Sequence, residues 1–136
     1  MDTANEASEV DEEYLTALHR MKTGALLQAA CLMGVISAGG GREQKRAAEK
    51  FADALGLAFQ IRDDILDTVG DAAVLGKDIG SDAANGKTTF VTLYGVEGCE
   101  KLVREYTDKA VAALLPAFPG EEFLPALAQE LAGRVK

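Results

Sequence analysis

Tryptophan is absent from this 136-residue chain, histidine occurs once and cysteine only twice. β-Branched residues are sparse and scattered against 23 alanines, which disfavours a sheet and favours closely packed helices. Basic side chains are outnumbered 22 to 14, giving a net charge of −8. That balance argues against nucleic acid as a partner, since phosphate backbones need a basic footprint. Cys31 and Cys99 lack metal-binding or dithiol spacing and read as free thiols in a reducing compartment. His19 has no Ser or Cys partner with the logic of a triad and reads as a satisfied structural or rim histidine. A charge-free run covers residues 23–41, but Gly24, Gln28, Gly34, Ser37 and three closing glycines interrupt it. Its apolar centre is too short to span a bilayer and suits a buried helix. An acidic start is no secretory leader. These absences leave one soluble, cytoplasmic helical domain over residues 1–136, with 1–10 poorly ordered.

The excess acid is uneven. Residues 1–13 hold six acids and no base, leaving only −2 on the remainder. Acids at Asp11, Glu12 and Glu13 open a helix that runs to about Ser37 and stops at Gly39-Gly40-Gly41. A second helix is predicted over 42–69, ending at Gly70-Asp71. Residues 70–87, with four glycines and several aspartates, read as a long functional loop. Helices over about 88–94, 96–115 and 121–135 follow, the last tolerating Pro125 in its first turns.

Against this background, three carboxylates within five positions need a reason: Asp63, Asp64 and Asp67 lie in an apolar-periodic stretch, and Asp is a poor helix former. On a helix, Gly56, Gln60, Asp63 and Asp67 form one stripe, so two carboxylates stack above an amide and a residue with nothing to obstruct approach. A hard divalent cation relieves such repulsion, and Mg²⁺ is commonly shared between one or two carboxylates and substrate phosphates. The same cluster alone is also what a solvated polar face looks like. Two features weigh against that blander reading. Lys22 is the one charge in the apolar stripe Leu18, Lys22, Ala25, Ala29 and Leu32, and a buried-leaning ammonium needs an anion, unless it snorkels to water. Lys77 and Lys87 each follow a glycine in the long loop, where a diphosphate facing a metal would call for them.

The spans 70–77 and 80–88 miss the phosphate-loop motif by one residue and follow no strand. Acids in the loop lack EF-hand spacing. Phe51, Phe59 and Phe90 read as core residues.

Taken in order, His19-Arg-Met-Lys22-Thr23-Gly24, Phe59-Gln60-Ile-Arg-Asp63-Asp64-Ile-Leu-Asp67, Gly76-Lys77 and Asp82 to Lys87-Thr88 closely resemble the trans-isoprenyl diphosphate synthases, most of all the bacterial farnesyl diphosphate branch. The resemblance implies an all-α bundle corresponding to the C-terminal portion of an isoprenoid synthase. It implies an Mg²⁺-dependent prenyltransferase condensing isopentenyl diphosphate with an allylic diphosphate, geranyl to farnesyl. By position, Asp63, Asp64 and Asp67 correspond to the second aspartate-rich motif holding Mg²⁺, and Lys22, Lys77 and Lys87 to lysines gripping diphosphate. Thr23 and Gln60 correspond to polar residues steadying the allylic cation. Arg134 and Lys136 resemble the basic tail that closes over the site.

The sequence also departs from the family. No aspartate-rich motif precedes residue 63, and the family's first half has no counterpart. The expectation is half an active site, inactive alone, that self-associates or pairs with the missing half through exposed apolar faces. The alternatives are a non-catalytic helical subunit of a heteromeric synthase and a bundle with no ligand.

Overall fold

The computed structural model describes residues 12–75 and 89–135. The expected poorly ordered start, and the loop beyond residue 75 with Lys77 and Lys87, lie outside the described residues. Within them every regular element is helical, in the order α1 (Glu12–His19), a π-helical turn (Arg20–Gly24), α2 (Ala25–Ser37), α3 (Arg42–Leu75), α4 (Phe90–Leu114) and α5 (Phe123–Ala132). No helix among the described residues is long and apolar enough to cross a membrane.

The first predicted helix is therefore one rod interrupted by a π turn, both of whose flanking residues keep right-handed helical angles. The interruption has a consequence for side-chain phase. A π turn adds a residue to the helical repeat, so the stripe drawn from Leu18 through Leu32 does not stay on one face. Ala25, Ala29 and Lys22 are exposed, while Leu18 and Leu32 are half-buried. Of the two settings the sequence left open for Lys22, buried-leaning against an anion or snorkelling to water, its exposure supports the second. The rod stops where the spacing predicted. Gly39 adopts φ +78°, and the Gly40 N–H bonds back to the Val35 carbonyl at 2.8 Å. A Cβ on Gly40 would come within 2.4 Å of the Val35 side chain, so any larger residue there would have to displace Val35.

α3 extends past Gly70-Asp71 to Leu75, beyond the predicted end. A single glycine costs a helix only about 1 kcal/mol, and the Ala-Ala-Val-Leu that follows is compatible with continuing it. This helix is the axis of the fold. Phe51, Ala52, Ala54, Leu55, Leu57, Ala58, Ile61 and Ile65 are all buried, and the alanines let neighbours approach closely. The short helix predicted over 88–94 and the longer one over 96–115 are joined as α4, with the break surviving as a kink at Gly95 (φ 72°). Thr89 caps the helix reciprocally with Thr92.

Two apolar clusters tie α3 to its neighbours. One gathers Leu15, Ile61, Ile65, Phe90, Val91, Cys99 and Val103; the other gathers Phe51, Ala54, Leu55, Ala110, Leu114 and Ala128. Each fully buried Phe contributes about 2–3 kcal/mol. By contrast α2 buries none of its residues: Leu26 is 72% and Met33 67% exposed.

Gly56 and Gly24 fix how closely the rod meets α3. A Cβ on Gly56 would stand 3.4 Å from the Gly24 Cα and 3.4 Å from the Leu27 side chain. The glycine read from sequence as clearance above the carboxylates instead permits two helices to touch. Nearby, Arg20 pairs with Asp53 through Nε (2.7 Å) and Nη2 (2.9 Å), fastening the π turn to α3.

Candidate active site

The closeness of the helices at Gly56 determines what happens one turn further along α3. There the Gln60 amide Nε2 donates to the Thr23 hydroxyl at 2.6 Å, half-buried between the π turn and α3. Two residues singled out 37 positions apart thus meet directly.

Asp63 follows on the Gln60 side of α3, and Asp67 stands one turn beyond it, about 6 Å along the axis. Asp67 is exposed and Asp63 half-buried. The Asp63 carboxylate accepts a hydrogen bond from Arg134, whose guanidinium also lies 4.3 Å from the centre of the Phe59 ring. Asp64 points elsewhere: its Oδ2 accepts from the Phe90 backbone N–H at 3.3 Å, at the start of α4. A carboxylate at a helix N-terminus meets the positive end of the dipole. The three aspartates therefore do not converge on one point, and no closed cage of three acidic, His or Cys groups occurs among the described residues.

His19 borders this face. Its ring stacks on Phe90, with centroids 5.5 Å apart and planes inclined by 22°. Burial chiefly lowers the imidazole pKa, Lys22 lowers it further and Asp63 opposes them. The field at the ring thus reports Lys22 and Asp63 acting at one place from two helices. Of the two sequence readings, a satisfied structural histidine or one at the rim, the half-buried ring bordering this face fits the rim, since its buried Nδ1 has no hydrogen-bond partner among the described residues. Stacking, rather than a hydrogen bond, holds the ring.

Sequence reasoning missed Arg62, which sits inside the aspartate motif yet faces away from it. It is only 8% exposed and spends its donors on Glu100 and on the Ala132 carbonyl. Those partners lie 38 and 70 residues away, so no local pattern signals them. Arg134 was legible as part of a basic ending, but not its pairing with Asp63.

A bundle built around a long helix with an aspartate-rich turn, joined by Thr23 and Gln60 to the neighbouring rod, has known counterparts. The model of the polyprenyl synthetase family matches residues 1–113. Over 115 residues the chain is 44% identical to farnesyl diphosphate synthase of Escherichia coli (strain K12), covering 84% of this chain and 38% of that one. It is 38% identical over 138 residues to geranylgeranyl pyrophosphate synthase 9, chloroplastic, of Arabidopsis thaliana, covering 98% of this chain and 38% of that protein. An FPP/GFPP synthase from Zymomonas mobilis has the same fold, with a TM-score of 0.74 at 30% identity over 96% of this chain and 42% of that chain. The chain belongs to the polyprenyl synthetase family. It spans about two fifths of the length of these relatives.

Proposed function

We propose that this chain supplies the diphosphate-ionising half of a prenyltransferase that condenses isopentenyl diphosphate with an allylic diphosphate, geranyl to farnesyl. The observation that carries this reading is the 2.6 Å bond between Thr23 and Gln60, which sets a fixed polar floor beside Asp63. The donor set suits magnesium. Asp63 and Asp67 offer hard oxygens one turn apart, and Mg²⁺ is usually held by one or two carboxylates with substrate phosphates supplying the rest. An open pair of this kind fits that habit better than a closed cage.

In this reading Asp63 and Asp67 would hold Mg²⁺ against the allylic diphosphate, and Asp64 would join them only by giving up its bond from the Phe90 N–H. The metal supplies charge neutralisation for the departing diphosphate. Lys22 meets the same oxygens, and its exposed head suits a ligand that arrives from solvent. Lys77 and Lys87 complete the grip. Thr23 and Gln60 turn oxygen dipoles toward the positive charge that develops on the allylic carbon as its bond to diphosphate breaks. The double bond of isopentenyl diphosphate then attacks, and proton loss ends the cycle. Electrostatic stabilisation aimed at the leaving group is the largest contribution in such a site. With the first of the family's two aspartate-rich motifs absent before residue 63, turnover by this chain alone is negligible. The exposed apolar residues of α2 favour self-association or pairing with a complementary chain, in the cytoplasm. A second reading, as a non-catalytic subunit of a heteromeric synthase, draws on the same face and on 37% identity to an Arabidopsis thaliana "heterodimeric geranylgeranyl pyrophosphate synthase large subunit 2".

The test is thermal stabilisation by inorganic diphosphate. Unsubstituted chain should gain far more stability from Mg²⁺ and diphosphate together than from either alone, and Asp63→Ala with Asp67→Ala should abolish the gain. Stabilisation that survives both substitutions refutes the metal-clamp reading. Robust condensation of geranyl and isopentenyl diphosphates by the chain alone refutes its dependence on a partner.

A further inference from the structure

Arg134 comes from the last described turn of the chain, yet its side chain reaches the middle of the aspartate-rich stretch. The route is well defined. α5 ends at Ala132, whose carbonyl accepts from Arg62 Nε at 2.7 Å, so the helix end is pinned to α3. Gly133 closes the helix with its N–H bonded to the Gln129 carbonyl at 3.2 Å. Arg134 then lies along α3, its guanidinium over Phe59 and one Nη donating to Asp63. Phe59 and Asp63 are four residues apart and share a helix face, so one planar cation covers both. Arginine suits this arrangement because its planar guanidinium stacks on an aromatic face while one Nη donates to the carboxylate.

We propose that Arg134 is a built-in competitor of the divalent cation at Asp63, an arginine latch that occupies the carboxylate until metal displaces it. The inference rests on the reading of Asp63 as a metal ligand. Mg²⁺ needs near-ideal octahedral geometry and close oxygen contacts. A guanidinium engaged on the same carboxylate opposes this by crowding the oxygen and by like-charge repulsion. Displacement requires little rearrangement. Arg62 keeps hold of Ala132 while residues 133–135 swing away, so α5 stays in place. The latch thereby couples cation binding to release of the chain end.

The test uses the full 136-residue chain and Mn²⁺ as a paramagnetic probe, with free Mn²⁺ read by EPR. Arg134→Gln should tighten Mn²⁺ binding about fivefold, the size expected for losing one partly exposed ion pair. Asp63→Asn should weaken binding in both backgrounds. Hydrogen exchange on the unsubstituted chain gives a second readout independent of any variant's folding: saturating Mn²⁺ should speed exchange of amides 133–135 and leave those of α5 unchanged. Asp63-dependent binding that Arg134→Gln leaves unaltered, or exchange indifferent to the cation, overturns the latch while leaving the metal site intact. Binding indifferent to Asp63→Asn overturns both.

Discussion

Arg62 grips Glu100 with both terminal nitrogens, Nη1 to Oε1 at 2.8 Å and Nη2 to Oε2 at 2.6 Å, across the contact between α3 and α4. Its Nε serves the Ala132 carbonyl, so one buried guanidinium holds three helices. Replacing it with methionine should lower the stability to unfolding by about 2 kcal/mol, measured by urea titration. A fully buried pair would cost more, but Glu100 can rehydrate.

The same pair sets an acid limit. The hydrogen bond from Arg62 holds the Glu100 carboxyl below its usual value of 4.5. Because the folded chain binds this proton less readily than the unfolded one, the stabilisation is complete above pH about 4.5 and is lost as pH falls through the lower folded value. Glu100→Gln should therefore flatten the acid limb of a plot of stability against pH while leaving its shape near neutrality unchanged. An acid limb of unaltered slope would assign that loss to other carboxylates.

Gln60 and Thr23 should behave as a coupled pair. Thr23→Val and Gln60→Ala each leave a half-buried polar atom without its partner, at about 1 kcal/mol. The double variant should cost less than the sum of the two, with a coupling energy of about 1 kcal/mol in a double-mutant cycle. Strict additivity would mean that the bond contributes nothing to holding the rod on α3.

Gly56 separates size from helix propensity. Alanine there meets Gly24 and Leu27 at ordinary contact distance and gains propensity, so Gly56→Ala should leave thermal stability within about 1 kcal/mol. Gly56→Leu should cost several times more, about 3 kcal/mol, by driving the helices apart. It should also lengthen the separation of Thr23 from Gln60, read as loss of diphosphate-dependent stabilisation.

Cys99 should be chemically silent in the native state. Burial first, then Asp64 and Glu100, push its thiol up to about 12, so almost no thiolate exists at neutral pH. Thiol-disulfide reagents at pH 8 should modify Cys99 only at the rate of unfolding, with Cys31, half-buried, reacting sooner.

How far the sequence spoke depended on the range of the interaction. Composition and apolar spacing located every described helix, because helical periodicity and glycine stops are local. The pairing of Gln60 with Thr23 could be anticipated only through the resemblance, since nothing in either segment names the other. The stripe through Lys22 broke for a physical reason: counting by 3.6 residues assumes an uninterrupted α-helix, and the π turn at Arg20–Gly24 breaks that assumption. α3 outran its predicted end because one glycine is a weak stop without a proline or a cap behind it. Arg62 and Arg134 found partners 38 or more residues away, and long-range pairing leaves no periodic trace.

The π turn also makes the rod an adjustable part. Deleting one residue between Arg20 and Gly24 would let the helix close up as continuous α-helix with the segments on either side keeping nearly their present orientation, because the wider turn already absorbs the rotation of about 100° that one extra residue brings. The change would fall on the turn itself, where Thr23 meets Gln60 at 2.6 Å, rather than on the stacking of His19 upon Phe90. One surplus residue is thus taken up within a single turn of the rod, at the place where that rod meets α3.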